Sequence, residues 1–327
     1  MPNIKGLKSL YFAFLLSSCF LSPSLQAHNN KVSITIKDGK RCIVSNGLPD
    51  HETGRFPNRG NPNSIVEQQV HLCFSLNPEK GHRPQPVRGS IGVAINGVQI
   101  RPGTAEYYDA SSPRGFSRDR SSGWNLEGIG AKNRLGMDQN NAHVDQRGLY
   151  HYHGIPDDLL DTINSTLISY AADGFEIHYA GERQISSYQL KPGSRPVPPG
   201  GNFDGTYNQD WEYLAGAGTL DECNGGFLEG QFVYYATDTY PFFPRCLWGE
   251  ISGDFLNSTA NRESRRNQSN QRESGRRNPP EEAIYACYGK QTGERCKFTV
   301  PRHGHQITGV CGMTPEHSTA CIPQRKH

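Results

Sequence analysis

The placement of the cysteines limits what this chain can fold into more than any other feature. Nine are present. Cys19 lies in an apolar leader, and eight follow it: Cys42, Cys73, Cys223, Cys246, Cys287, Cys296, Cys311 and Cys321. An even set behind an export leader implies disulfides. No Cys-x-x-Cys spacing occurs, which argues against a zinc ribbon or a thioredoxin-type redox motif. Four of the eight fall in residues 283–327, a stretch too short to hold a core by itself. Two disulfides are therefore expected to staple it. The other four belong to the long preceding part. Each set of four permits three connectivities, and the sequence chooses none of them.

The boundary between the two parts is compositional. Residues 257–282 read NSTANRESRRNQSNQRESGRRNPPEE. Almost nothing there is apolar, so a disordered linker is expected. Its six arginines suit contact with an anionic surface, or simply a solvated spacer. At the other end, Lys5 and Lys8 precede the apolar run Leu10 to Leu16, and Ala27 closes a region of small residues. This is the pattern of a signal peptide over residues 1–27. The run is too short to span a bilayer, which takes about 20 residues. The alternative is Leu16-Ser17-Ser18-Cys19, which resembles a lipoprotein signal and would leave a lipid on Cys19. The mature organisation expected is residues 28–256 as the main domain, 257–282 as linker and 283–327 as a Cys-rich module. No later run reaches membrane-spanning length.

Strand signals dominate the main domain. Lys31 to Ile36 alternates polar and apolar residues. So does Ser90 to Ile95, after which Asn96-Gly97 turns the chain into Val98-Gln99-Ile100, a strong hairpin signal. Phe175, Ile177 and Tyr179 share one face of another alternating run, with Glu176 and His178 on the other. One helix is expected after Pro156. Asp157 and Asp158 suit its first turn, and Leu159, Leu160, Ile163 and Leu167 would form its apolar face. With 36 Gly and 22 Pro, a helical bundle is disfavoured. The predicted fold class is mainly β, an antiparallel β-sandwich with few helices, plus the small disulfide-stapled module.

The densest chemistry lies in Asp138 to Gly154. Successive side chains of a strand alternate in direction, so His151 and His153 share one face and Tyr150 and Tyr152 the other. His143 stands eight residues earlier, a distance a tight hairpin closes. Three imidazoles, or two with a carboxylate, suit Zn²⁺, Cu²⁺ or Fe²⁺. The candidate ligands are His143, His151, His153 and Asp138, with Asp145 and Asp173 as further nearby carboxylates. Two other readings of the same residues stand beside this one. The histidines would bond protein groups in a polar core, or serve metal-free acid–base chemistry.

Other features carry less. His28 would begin the mature chain, where a frayed polar terminus is the plain reading. His303-Gly304-His305 repeats the His-x-His spacing in what reads as an exposed turn. No Gly-x-Ser-x-Gly elbow, phosphate loop or dinucleotide fingerprint occurs. A net charge of +2 gives no footprint for nucleic acid, and none is expected as a partner. Aromatics such as Tyr207, Trp211 and Tyr213 suit stacking on glycan or another envelope polymer, or ordinary core packing.

Gly148 to Pro156, GLYHYHGIP, resembles the motif that names the YHYH-domain family. The likeness extends through Ser45 to His51, Thr53 to Asn63, Gly92 to Val98, Gly103 to Glu106, Ala172 to Phe175, Gly205 to Asp210 and Leu220 to Gly225. The resemblance implies an exported protein with a possible metal site, and no defined reaction. It also implies a second Tyr-His-Tyr element near the domain's end. Here the corresponding residues, Gln231 to Thr237, contain no His, and His178 stands where other members differ. The Cys-rich tail resembles modules at the C-termini of exported bacterial proteins. The function expected is therefore an exported protein that binds a metal ion through a His cluster, whether or not it is an enzyme. The alternative is a non-enzymatic extracytoplasmic surface or polymer-binding module. An ion with three protein ligands and an open position would activate water for hydrolysis, and copper would instead do redox chemistry.

Overall fold

A computed structural model describes residues 29–256, 283, 286–287, 290–299, 306–313 and 319–323. The expected signal peptide, Cys19, His28, the linker and His303-Gly304-His305 lie outside the described residues. The chain falls into two compact units, one before and one after residue 260.

The first unit is built on an eight-stranded sheet. Its strands run in the order Ala142–Val144, Tyr150–Tyr152, Gln99–Ile100, Gly92–Ala94, Leu167–Ala171, Glu176–Tyr179, Gln231–Ala236 and Gly225–Leu228. The Asn96-Gly97 turn forms as the sequence suggests. The Ala94 carbonyl accepts from Gly97 N–H at 2.8 Å, and Ala94 N–H donates to the Val98 carbonyl at 2.8 Å. Only Gly97 takes a positive φ, +83°. The loop is thus a three-residue turn closed by a bulge glycine rather than a two-residue one.

A second, three-stranded sheet lies over one face of the first. Val32–Lys37 turns through Asp38 and Gly39, both at positive φ, into Lys40–Ser45, which pairs with Val70–Ser75. Alternation decides which face is buried. Val70, Leu72 and Phe74 are buried while His71 and Ser75 are exposed. These residues and Ile43 join Val93, Ile100, Tyr150, Tyr152 and Tyr170 in one core. Each such side chain contributes about 1.5–3 kcal/mol on full burial.

The chain is mainly β with few and short helices, as expected. Two pairings of the large sheet are parallel rather than antiparallel: Tyr150–Tyr152 with Gln99–Ile100, and Glu176–Tyr179 with Gln231–Ala236. Parallel neighbours need a long crossover. The first crossover, residues 101–149, carries a small sheet (Gly103–Tyr108, Phe116–Ser117, Asn125–Glu127) and the short helix Lys132–Leu135. The helix after Pro156 spans Asp157–Thr162 with both aspartates in its first turn. It is shorter than its apolar spacing suggested: Leu167 opens the strand Leu167–Ala171 instead. Thr166 Oγ1 bonds His178 there, and Leu167 lies opposite that histidine across the sheet.

The second unit contains a three-stranded antiparallel sheet, Arg295–Thr299, Gln306–Met313 and Thr319–Pro323. Its small core is mostly sulfur, with Ala283, Phe298 and Ala320 packed around four cysteines. The disulfides are Cys42–Cys73, Cys223–Cys246, Cys287–Cys311 and Cys296–Cys321. Each set of four pairs within its own part. Among the described residues no helix is long and apolar enough to cross a membrane.

Candidate metal centre

The hairpin that brings His143 to His151 is fixed by its turn. Asp145 N–H donates to the Leu149 carbonyl at 2.9 Å, and Gly148 takes φ +84°. Asp145 Oδ1 accepts from the Arg147 and Leu149 N–H groups, stiffening the loop. Val144 then lies opposite Tyr150, and His143 opposite His151. His153 follows two residues on, so all three imidazoles leave the same face of the sheet.

Their geometry is specific. His153 Nε2 lies 3.1 Å from His151 Nε2 and 3.2 Å from His143 Nε2. One nitrogen from each ring falls within 4.8 Å of the others. The remaining nitrogens all face main-chain oxygen. His143 Nδ1 meets the Leu135 carbonyl at 3.1 Å, His151 Nδ1 that of Leu149 at 3.1 Å, and His153 Nδ1 that of Pro102 at 3.4 Å. A carbonyl oxygen only accepts, so each Nδ1 carries the hydrogen and each Nε2 presents a lone pair. His151 and His153 are buried, while His143, on the edge strand, is half-buried.

Burial disfavours the imidazolium form here. It holds His143 below the ordinary histidine value, although Leu135 and nearby carboxylates pull the other way. His153 is pushed well below that value, first by burial and then by His143 and His151. The His143 and His153 rings are therefore neutral at neutral pH.

Asp138 is not among these groups. It sits with the tyrosines on the opposite face of the strand. Its Oδ2 accepts from Tyr150 Oη at 2.7 Å and Gly54 N–H at 3.1 Å. Its Oδ1 accepts from the N–H groups of Asn140 and Ala142. Asp145 bonds Arg101 at 2.9 Å. Asp173 accepts from Tyr234 Oη at 2.7 Å and Gly249 N–H at 2.9 Å. His178 is four strands from the Tyr-His strand, about 19 Å at about 4.8 Å per strand, and Gln231–Ala236 is about 24 Å away. Neither belongs to the cluster. The groups Cys42–His71–Cys73 and Cys287–Cys296–Cys311 have ligand-like spacing, but their cysteines are disulfide-bonded and offer no thiolate.

Sequence reasoning missed four polar residues around the histidines, three of them buried and Arg245 half-buried. Gln99 lies beside His151 across the parallel pairing. Arg101 bonds both Gln99 Oε1 at 3.0 Å and Asp145. Glu127, 1% exposed, pairs with Arg245 at 2.6 Å. The signal for the first two was present: Gln99 and Arg101 alternate with Val98 and Ile100, as His151 and His153 alternate with the tyrosines. No local pattern marks Glu127 or Arg245.

Among known families, a model described as YHYH protein matches residues 71–249, more than half of the chain. The chain belongs to that family. No curated protein and no solved structure matches it. In this YHYH protein the naming motif thus splits into two tyrosines turned to the core and two histidines turned to the cluster. The N-terminal signature at Ser45 to Asn63 lies outside the matched stretch.

Proposed function

We propose that this YHYH protein is exported and binds one transition-metal ion through Nε2 of His143, His151 and His153. One observation carries the reading: three Nε2 lone pairs converge while every Nδ1–H is bonded to a carbonyl. Lone pairs 3.1 and 3.2 Å from that of His153 repel it in a core that merely stores histidines. A cation at the convergence point removes the repulsion. An ion about 2.1 Å from two nitrogens at a tetrahedral angle separates them by about 3.4 Å. The two Nε2 separations of 3.1 and 3.2 Å are close to that. A carbonyl on the far ring nitrogen is also the usual support for a metal-bound imidazole.

Zinc, copper and iron all suit imidazole ligands. A set of three neutral ligands leaves the charge of the ion uncompensated and a coordination position open. Such an ion supplies Lewis acidity toward water, or electron transfer in the case of copper. Four disulfides support export, since these bonds persist in oxidising compartments. The polymer-binding alternative gains no support from its aromatics. Tyr207 is buried beside Trp124, Trp211 stacks on Tyr240 at 5.0 Å, and Tyr213 packs on Tyr188 at 5.5 Å.

The deciding measurement is metal content by mass spectrometry, on full-length protein exported to an oxidising compartment. The expected result is about one equivalent of a transition metal, lost in a folded His151→Ala, His153→Ala double variant. If supplementation with zinc, copper or iron loads neither protein, the proposal is wrong. The histidines are then core groups.

A further inference from the structure

Behind His153 stands a charged pair that the metal-binding reading does not itself use. The Pro102 carbonyl accepts from His153 Nδ1 and also from Arg245 Nη1, the latter at 2.9 Å. Arg245 Nη2 donates to Glu127 Oε1 at 2.6 Å, and Arg245 Nε to the Pro241 carbonyl at 3.2 Å. Glu127 Oε2 in turn accepts from Gly130 N–H at 2.6 Å. The guanidinium is thus engaged on every nitrogen and lies against the Tyr240 ring, 5.0 Å from its centroid. It also precedes Cys246, which is bonded to Cys223, so its main chain is anchored covalently. The residue after Glu127, Gly128, runs so close to the His153 ring that a Cβ there would stand 2.7 Å from Nδ1.

We propose that Arg245, braced by Glu127, is a positioning residue of the metal centre: it fixes the Pro102 carbonyl to which His153 donates, and so aims His153 Nε2 at the ion. The inference rests on the metal-binding reading above. Proline has no N–H, so residue 102 adds no main-chain donor of its own to the site. The acceptor for His153 is instead held from outside by a planar fork, which bridges two acceptors in a way an ammonium does not. Support of this kind typically changes metal affinity by about 10–100-fold when removed.

The test is a titration of the full-length protein with Zn²⁺ against a competing chelator, paired with the spectrum of the Co²⁺-loaded form. Three variants are compared with wild type: Arg245→Gln, Arg245→Lys and Glu127→Gln. Expected are one equivalent of metal throughout, affinity about 10–100-fold weaker in Arg245→Gln, a smaller loss in Arg245→Lys, and a shifted Co²⁺ spectrum in both. Should Arg245→Gln not fold, Glu127→Gln decides, since it keeps the shape and removes only the charged brace. Wild-type affinity and an unshifted spectrum in the folded variants would overturn the positioning role and leave the three-His centre standing. Failure of wild type itself to bind, matching the His double variant, overturns both.

Discussion

Asp138 and the three histidines stand on opposite faces of the Tyr-His hairpin, and substitutions there should separate cleanly. Asp138 accepts four hydrogen bonds and is 8% exposed. Asp138→Asn should destabilise the fold by about 1–3 kcal/mol, the usual cost of a disturbed buried network, with metal stoichiometry unchanged. Denaturant unfolding and metal analysis check the two halves. Loss of the ion in a folded variant would return Asp138 to the ligand set. The histidines predict a pH dependence instead. His143 and His153 titrate below 6.5 when folded, and near 6.5 when unfolded. Below about 6.5 the unfolded chain takes up protons first, so the metal-free protein is fully stable above that pH and weakens as pH falls toward the folded values. Thermal melts between pH 8 and 5 read this directly. A decline that persists unchanged in a His143→Gln, His153→Gln variant would assign it to other groups. Gly128→Ala is the least conspicuous change with a large expected effect. Its Cβ meets a ring that is 1% exposed, so on the proposed function metal affinity should fall by about tenfold or more with no histidine altered. An unchanged chelator titration would show that the ring has room to yield.

The hairpins were the most legible elements. Asn96-Gly97, the alternation around His151 and the reach of His143 all follow from local spacing, because turn chemistry and the two-residue period of a strand act within a few residues. Gly97→Ala tests how much rests on one such turn. It forces φ +83° on a residue with a Cβ and drives that atom to 2.4 Å from Ser45 Cβ. A loss of about 1–3 kcal/mol is expected in urea unfolding, and a neutral result would mean that the two sheets part easily there. The helix was legible at its start and not at its end. Asp157 and Asp158 mark the N-terminus, whereas Leu167 fits a helical stripe and a strand equally well, and pairing of Leu167–Ala171 with Glu176–Tyr179 and Gly92–Ala94 decides between them. The Glu127–Arg245 pair was not legible at all, because 118 residues separate its members and neither sits in a recurring pattern.

At the scale of the molecule, every disulfide closes within its own part of the chain. Non-reducing peptide mapping should find no bond joining a cysteine before residue 257 to one after residue 282. A Cys246–Cys287 peptide, for example, would contradict the division. Removing Cys223–Cys246 as a double Ser variant should cost about 2–4 kcal/mol. The main sheet joins strands from residue 92 to residue 236, yet the three hydrogen-bond acceptors behind the histidines are all main-chain oxygens, at residues 102, 135 and 149. No side-chain substitution at those positions can delete an acceptor, and no sequence motif can advertise one. The protonation pattern of the cluster is thus inherited with the path of the backbone rather than with any residue. Copying the four letters of the motif into another sheet would transfer the imidazoles and leave behind what aims them.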